Sequence, residues 1–219
     1  MGEKFDNNKD FYYENGFYLT SKITRIAKIL AHYELYKMII DLPGQIIECG
    51  VFKGVSLIRF ATFRDLFESP YSRKIIGFDI FGKFPLSGNK QDNEFAKRHD
   101  EITGYGISVE ELTRVFEYKQ ISNFELVKGD INETIPEYVD KHPELKISLL
   151  HIDTDVYKPT KTILENLWGK VVRNGIVILD DYATIAGETN AVDEFFKNKG
   201  IKINKFSFAM TPCYIIKEE

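Results

Sequence analysis

From residue 45 onward the chain repeats one pattern: a short apolar run, a turn, then apolar positions at helical spacing. This alternation constrains the fold more than any other feature, because strand and helix units joined by right-handed crossovers build a parallel sheet covered by helices on both faces. Residues 45–52 (QIIECGVF), 74–81 (KIIGFDIF), 124–130 (FELVKGD), 146–155 (KISLLHIDTD) and 175–182 (GIVILDDY) read as buried strands, and residues 55–67 as the first intervening helix. Thr134 and Glu137 have the spacing of a capping box, which predicts a helix start near Ile135 with Pro136 tolerated in its first turn. Thr160, Ile163, Leu164, Leu167 and Trp168 form one helical stripe, and Ala191, Val192, Phe195 and Phe196 mark a further helix. Two strand-like runs, 201–208 and 211–219, close the chain as an antiparallel hairpin. The predicted fold is a doubly wound α/β domain over 45–219 with a mostly parallel, seven-stranded, Rossmann-like sheet.

Two stretches break the alternation. Residues 1–44 carry the aromatic run FYYENGFY and an amphipathic helix on Ile23, Ile26, Ala27, Leu30 and Tyr33, and read as a helical arm or lid. Residues 82–123 are a long polar connection. Within it Ser108 and Glu111 form a capping box, with Ile107 and Leu112 as its hydrophobic staple, and such a length inside a compact domain predicts an inserted lid over the acceptor. The 219 residues suit a single domain. A net charge of -4, from 29 Lys+Arg against 33 Asp+Glu, provides no positive field to recruit nucleic acid or an anionic membrane. Cys49 and Cys213 have no CxxC spacing, which excludes a thiolate metal site and fits a reducing compartment. The first residues lack an apolar leader core, and no apolar run approaches the roughly 18 residues of a membrane span. A cytoplasmic location without a membrane partner is the expectation.

Ligands of doubly wound sheets bind beyond the carboxyl ends of the strands, at the switch point between the first and fourth strands in the common order. The residues at those ends are therefore the candidate site. The first strand runs into Glu48-Cys49-Gly50-Val51-Phe52-Lys53-Gly54-Val55-Ser56. Glycines four apart at a strand-to-helix turn let the backbone approach a ligand, and the helix start offers free N–H groups to a carboxylate or phosphate; the same glycines also suit a plain tight turn. The spacing is not GxGxxG, which argues against a nicotinamide-dependent oxidoreductase. Asp79 is placed either to receive two ribose hydroxyls or to sit solvated at its strand end. Asp130 either receives an adenine amine or caps the next turn. Asp153 and Asp155, and Asp180 and Asp181, follow the fourth and fifth strands into one cleft. Carboxylates crowded in a partly dry site repel one another, so a cation must neutralise them, and oxygen-only donors favour Mg²⁺, Ca²⁺ or Mn²⁺. The alternative is that one or two of these acids cap loops or pair with Lys158 or Lys161. His32, His99, His142 and His151 show no ligand spacing, and His151 reads as a satisfied side chain rather than a catalytic one.

The stretches ECGVFKGVS, GFDIFGKFP, KGDINETIP, HIDTDVYKPT and GIVILDDY with the later AVDEFF, within residues 45–196, together resemble the class I S-adenosylmethionine-dependent methyltransferases. Within that class the pattern resembles the macrocin O-methyltransferase (TylF-type) family, enzymes that methylate sugar hydroxyls. The first stretch is also similar to the ExGxxxGxS turn of metal-dependent catechol-type O-methyltransferases. The resemblance implies S-adenosylmethionine and Mg²⁺ as cofactors, with Glu48, Gly50, Gly54 and Ser56 around the methionine part, Asp79 at the ribose and Asp130 near adenine. It further implies Asp153, Asp180 and Asp181 as the Mg²⁺ ligands. HIDTDVY lacks the lysine base of the catechol-type enzymes and offers Asp155, as the sugar enzymes do. Period-two spacing puts Asp155 on the same side as Asp153, so Asp155 is the candidate base and Asp153 the second choice. The implied activity is transfer of a methyl group to a hydroxyl of a small-molecule sugar or glycoside. A phenolic or catechol acceptor and a non-catalytic cofactor-binding module are the alternatives. The resemblance and the amphipathic arm also suggest a homo-oligomer, a dimer, unless the arm packs its helix against its own sheet.

Overall fold

The computed structural model describes residues 6–83 and 101–218. Residues 84–100, the middle of the lid predicted at 82–123, lie outside the described residues. The chain begins with helices α1 (Asp10–Thr20) and α2 (Ile23–Lys37). It then alternates through β1 (Gln45–Cys49), α3 (Val55–Phe67) and β2 (Ile75–Asp79), followed by α4 (Val109–Tyr118), β3 (Phe124–Lys128), α5 (Ile131–Lys141) and β4 (Ile147–Ile152). Helix α6 (Tyr157–Leu167), β5 (Val171–Leu179), α7 (Ala186–Phe196), β6 (Asn204–Lys205) and β7 (Cys213–Ile216) complete it. The sheet order is β3-β2-β1-β4-β5-β7-β6. Strands β1 to β5 pair in parallel, and β7 runs antiparallel to both β5 and β6.

Alternation along the strands divides the core into two layers. Ile46, Ile75, Leu149, Ile176 and Ile178 face one side, where Leu35 and Tyr36 of α2, Leu57 and Phe60 of α3, and Leu112 and Phe116 of α4 cover them. Their neighbours Ile47, Ile76, Leu150 and Val177 face the other, under Ile135 and Tyr138 of α5, Ile163, Leu164 and Leu167 of α6, and Val192 and Phe196 of α7. Burying each such side chain contributes about 1.5–3 kcal/mol, so the layers fix which way every strand faces.

Two local expectations change. Helix α5 starts at Ile131, because Asp130 accepts a hydrogen bond from the Asn132 amide at 2.8 Å and caps the helix directly at the strand end. Thr134 is then inside the helix, donating back to the Asp130 carbonyl at 3.0 Å, and Pro136 is an interior residue. Helix α2 buries Ala27, Ala31, His32, Leu35 and Tyr36; of the predicted stripe Ala27 is buried, Ile26 and Tyr33 are half-buried, and Ile23 and Leu30 are 87% and 48% exposed. Leu35 and Tyr36 anchor its carboxyl half in the core, and Ala31 and Ala27, one and two turns earlier, share their face. The Ser108–Glu111 capping box forms as the spacing predicts.

Register places the chemistry. Cys49 pairs with Ile152, and Ile152 with Leu179, so Gly50, Asp153 and Asp180 leave the sheet side by side. The Asp153 amide donates to the Cys49 carbonyl at 2.9 Å and the Asp180 amide to the Ile152 carbonyl at 3.0 Å. This edge is the switch point between β1 and β4.

Candidate active site

A cleft opens there, lined by Gly50, Phe52, Asp79, Asp130, Asp153 and Asp155 among others. Gly50 has φ +92°, and a Cβ on it would lie 1.8 Å from the Asp153 carbonyl oxygen, so only glycine fits the approach of the two loops. Gly54 is the N-cap of α3 at φ +79°, a left-handed conformation that glycine adopts without strain. Asp79 lines the cleft, yet its carboxylate already accepts from three backbone amides: Val51 at 2.8 Å, Phe52 at 3.0 Å and Phe81 at 2.6 Å. It holds the turn after β1 in place. Asp130 caps α5 through the Asn132 amide, the second of the two alternatives, and also lines the cleft. Glu48 and Ser56 meet each other instead of the cleft: Ser56 Oγ donates to Glu48 Oε1 at 2.9 Å, and Glu48 is fully buried.

The acids at the β4 and β5 ends divide into two groups. Asp153, Asp155 and Asp181 each offer a carboxylate oxygen within 4.8 Å of the others. Asp180 is taken up elsewhere: its Oδ1 accepts from His151 Nε2 at 3.2 Å and its Oδ2 from Lys28 Nζ at 2.6 Å. Lys28 also lies 3.8 Å from Asp153 Oδ2. Of the lysines weighed from the sequence, Lys161 pairs with Glu194 at 2.7 Å. The counterion comes from the amino-terminal helix α2.

Charge follows this geometry. Burial, then the neighbouring Asp180, pushes the Asp153 carboxyl well up. Burial and the charge of Asp181, which also shares a hydrogen bond with it, raise Asp155 to about 8. Burial and Asp180 raise Asp181 as well. Burial also works to raise Asp180, but the hydrogen bond from His151 and the charge of Lys28 outweigh it and hold that carboxyl below its usual range. His151 is fully buried, which disfavours its charge, yet hydrogen bonds to Asp180 and Glu48 lift it to about 10, so it is an imidazolium donating from both nitrogens.

Three residues of this network were not among the sequence candidates. His151 was read as a satisfied side chain, and it is one, but its partners are Glu48 and Asp180. Glu48 pairs with it across β1 and β4, a relation visible only once the register is known. Glu188 of α7 accepts from the Asp181 amide at 3.0 Å while its Oε2 is buried without a partner, and burial with the charge of Asp181 drives its carboxyl far up. Lys28 carries no local signal at all. His32 lies near His151 and Asp180, but Arg59 Nη1 is 3.1 Å from its Nδ1 and donates there, which leaves the proton on Nε2 and removes that nitrogen as a metal ligand.

The donor set of Asp153, Asp155 and Asp181 fits a hard divalent cation, since it is all oxygen, half-buried and short of positive charge. The sequence profile of the macrocin-O-methyltransferase (TylF) family matches residues 25–215. The chain belongs to this family. Among its relatives, a demethyldecarbamoylnovobiocin O-methyltransferase of Streptomyces niveus is 28% identical over 167 residues, covering 71% of this chain and 59% of the relative. The 8-demethyl-8-(2,3-dimethoxy-alpha-L-rhamnosyl)-tetracenomycin-C 4'-O-methyltransferase of Streptomyces olivaceus is 27% identical over 166 residues, 73% of this chain and 60% of the relative. The chain thus spans about three fifths of the length of these curated relatives. Among solved structures, apo CalS11, a TDP-rhamnose 3'-O-methyltransferase, superposes with a TM-score of 0.69 at 26% identity, covering 98% of this chain and 88% of that one. The O-methyltransferase NovP gives a TM-score of 0.75 at 23% identity, over 88% of this chain and 80% of that one. The fold is that of the class I methyltransferases.

Proposed function

We propose that this chain transfers a methyl group from S-adenosylmethionine to a hydroxyl of a sugar, with Mg²⁺ as its second cofactor. The observation that carries this reading is the gathering of Asp153, Asp155 and Asp181 at the β1/β4 cleft, beside the glycine turn of residues 50–54. The activities in the names of its relatives support the acceptor class: one acts on TDP-rhamnose and one on a rhamnosyl group.

S-adenosylmethionine supplies an already activated methyl group, whose carbon–sulfur bond breaks as the carbon–oxygen bond forms, leaving S-adenosylhomocysteine. The chain then has to align the acceptor and remove its proton. Gly50 and Gly54 open the turn to the methionine part, the start of α3 presents free amides to its carboxylate, and Asp79 keeps that turn in position while lining the ribose side. Asp130 borders the adenine side. Asp153 and Asp181 would hold Mg²⁺ with Asp155 within 4.8 Å of both, joined by Asp180 only where Lys28 gives up its Oδ2, and the ion would supply Lewis-acid polarisation of the hydroxyl. Asp155 is the proton acceptor, placed among the other acids by its own backbone at φ +62°. Added positive charge beside it favours its ionised, accepting form.

A panel assay with methyl-labelled S-adenosylmethionine tests the reading, comparing nucleotide-linked sugars and glycosides with catechols in MgCl₂ or in chelator. Label on a sugar acceptor only in MgCl₂ is expected. Catechol as the sole acceptor overturns the acceptor class, and undiminished turnover in chelator overturns the metal. A cytoplasmic location goes with this reading, as S-adenosylmethionine is a cytoplasmic metabolite; no described helix is long and apolar enough to cross a membrane. Helix α2 packs its carboxyl half on its own sheet, so self-association, part of the same proposal, falls to the exposed Phe11 and Leu19 of α1 with Ile23, and is read by light scattering.

A further inference from the structure

The cation that stands among the acids of this structure is a side chain. Lys28 Nζ lies 2.6 Å from Asp180 Oδ2 and 3.8 Å from Asp153 Oδ2, between two of the carboxylates expected to bind the metal. We infer that Lys28 is a resident counterion occupying the seat of the divalent cation, and that loading the cation expels the ammonium from Asp180. The inference rests on the metal part of the proposed function.

The geometry leaves little choice. The other oxygen of Asp180 already accepts from His151 Nε2, so Oδ2 is the atom left to a cation, and Lys28 occupies it. A Mg²⁺ ion sits about 2.0–2.1 Å from each carboxylate oxygen that binds it. An ammonium and a dication on the same oxygen would be neighbouring like charges, and Mg²⁺ takes the lone pairs that the ammonium uses. Lys28 also has somewhere to go. Its side chain is 26% exposed, and its flexible four-carbon stem lets the charged head swing to water while α2 keeps its core contacts through Ala31, Leu35 and Tyr36. One ammonium is also a poor permanent match for Asp153, Asp155, Asp180 and Asp181 together. Because α2 belongs to the amino-terminal arm, the cation and the arm's ion pair are linked, and each weakens the other by the same factor.

Calorimetric titration of Mg²⁺ and Mn²⁺ into metal-free protein tests this, comparing the unaltered chain with Lys28→Met and Lys28→Gln. Affinity at least tenfold tighter in the variants is expected, together with a lower melting temperature of the metal-free variants that cation restores. The unaltered chain supplies a second readout independent of folding in the variants. Acylation of Lys28 by an amine-reactive ester, followed by peptide mass spectrometry, should be slow without cation and several-fold faster at saturating Mg²⁺. Equal or weaker affinity in both variants, or Lys28 reactivity indifferent to bound Mg²⁺, overturns the inference and leaves the metal reading standing. Absence of Mg²⁺ and Mn²⁺ binding in every protein overturns the metal reading, and this inference with it.

Discussion

At the scale of single residues, the site depends on atoms that are missing as much as on those present. Gly50 lets the β1 turn touch the loop that carries Asp153, and any Cβ there meets backbone oxygen that has no freedom to move. Gly50→Ala should therefore lower the melting temperature sharply, whereas Gly16→Ala, in α1 with nothing within 4 Å of its Cβ, should raise helix stability by about 0.5–1 kcal/mol. Thermal melts of the two variants side by side check the contrast, and equal losses would refute it. Asp155→Asn keeps shape and removes the proton acceptor. Turnover should fall about 10²–10⁴-fold while calorimetric affinity for S-adenosylhomocysteine changes little. A variant that keeps full turnover would place the base elsewhere.

At the scale of elements, the end of the sheet opposite the cleft is held by cations of a different kind. Arg64 of α3 is fully buried and donates to the carbonyls of Arg73, Ser122 and Asn123, the turns that lead into β2 and β3. Arg64→Met removes the donor of the Arg73 and Ser122 carbonyls and leaves Asn123 with the Ile75 amide at 3.1 Å, so a loss of about 3 kcal/mol is expected in urea denaturation, with cofactor affinity per folded molecule unchanged. A loss below about 0.5 kcal/mol would show that water replaces the guanidinium. The elements themselves were legible in sequence where pattern and packing agree. The bounds of α3 coincide with the predicted 55–67, because its apolar period and the preceding glycine turn point to the same start. The start of α5 was misread because two capping signals compete four residues apart, and the one adjoining the strand prevails. The predicted face of α2 holds at Ala27 and fails at Ile23 and Leu30, because the buried side continues through Ala31, weak in any hydrophobic pattern, to Leu35 and Tyr36.

At the scale of the whole molecule, binding should report on folding. S-adenosylhomocysteine at about a hundred times its dissociation constant should stabilise the protein by about 2.7 kcal/mol, and NAD should not shift the melt; the reverse result would discredit the cofactor assignment. The position of the cleft followed from topology, since strand order locates the switch point and the acids mark the strand ends. Its electrostatics did not follow. Lys28 reaches Asp180 across 152 positions of sequence, and His151 joins Glu48 to Asp180 through strand register, relations that no local window contains. The placement of β7 bears on folding. Cys213–Ile216 fills the slot between β5 and the short β6, and pairs with Ile176–Leu179. Without Cys213–Ile216 in its slot, Ile176–Leu179 is a bare apolar rim. A chain in which β7 is not yet paired is therefore the state most open to pairing with foreign strands.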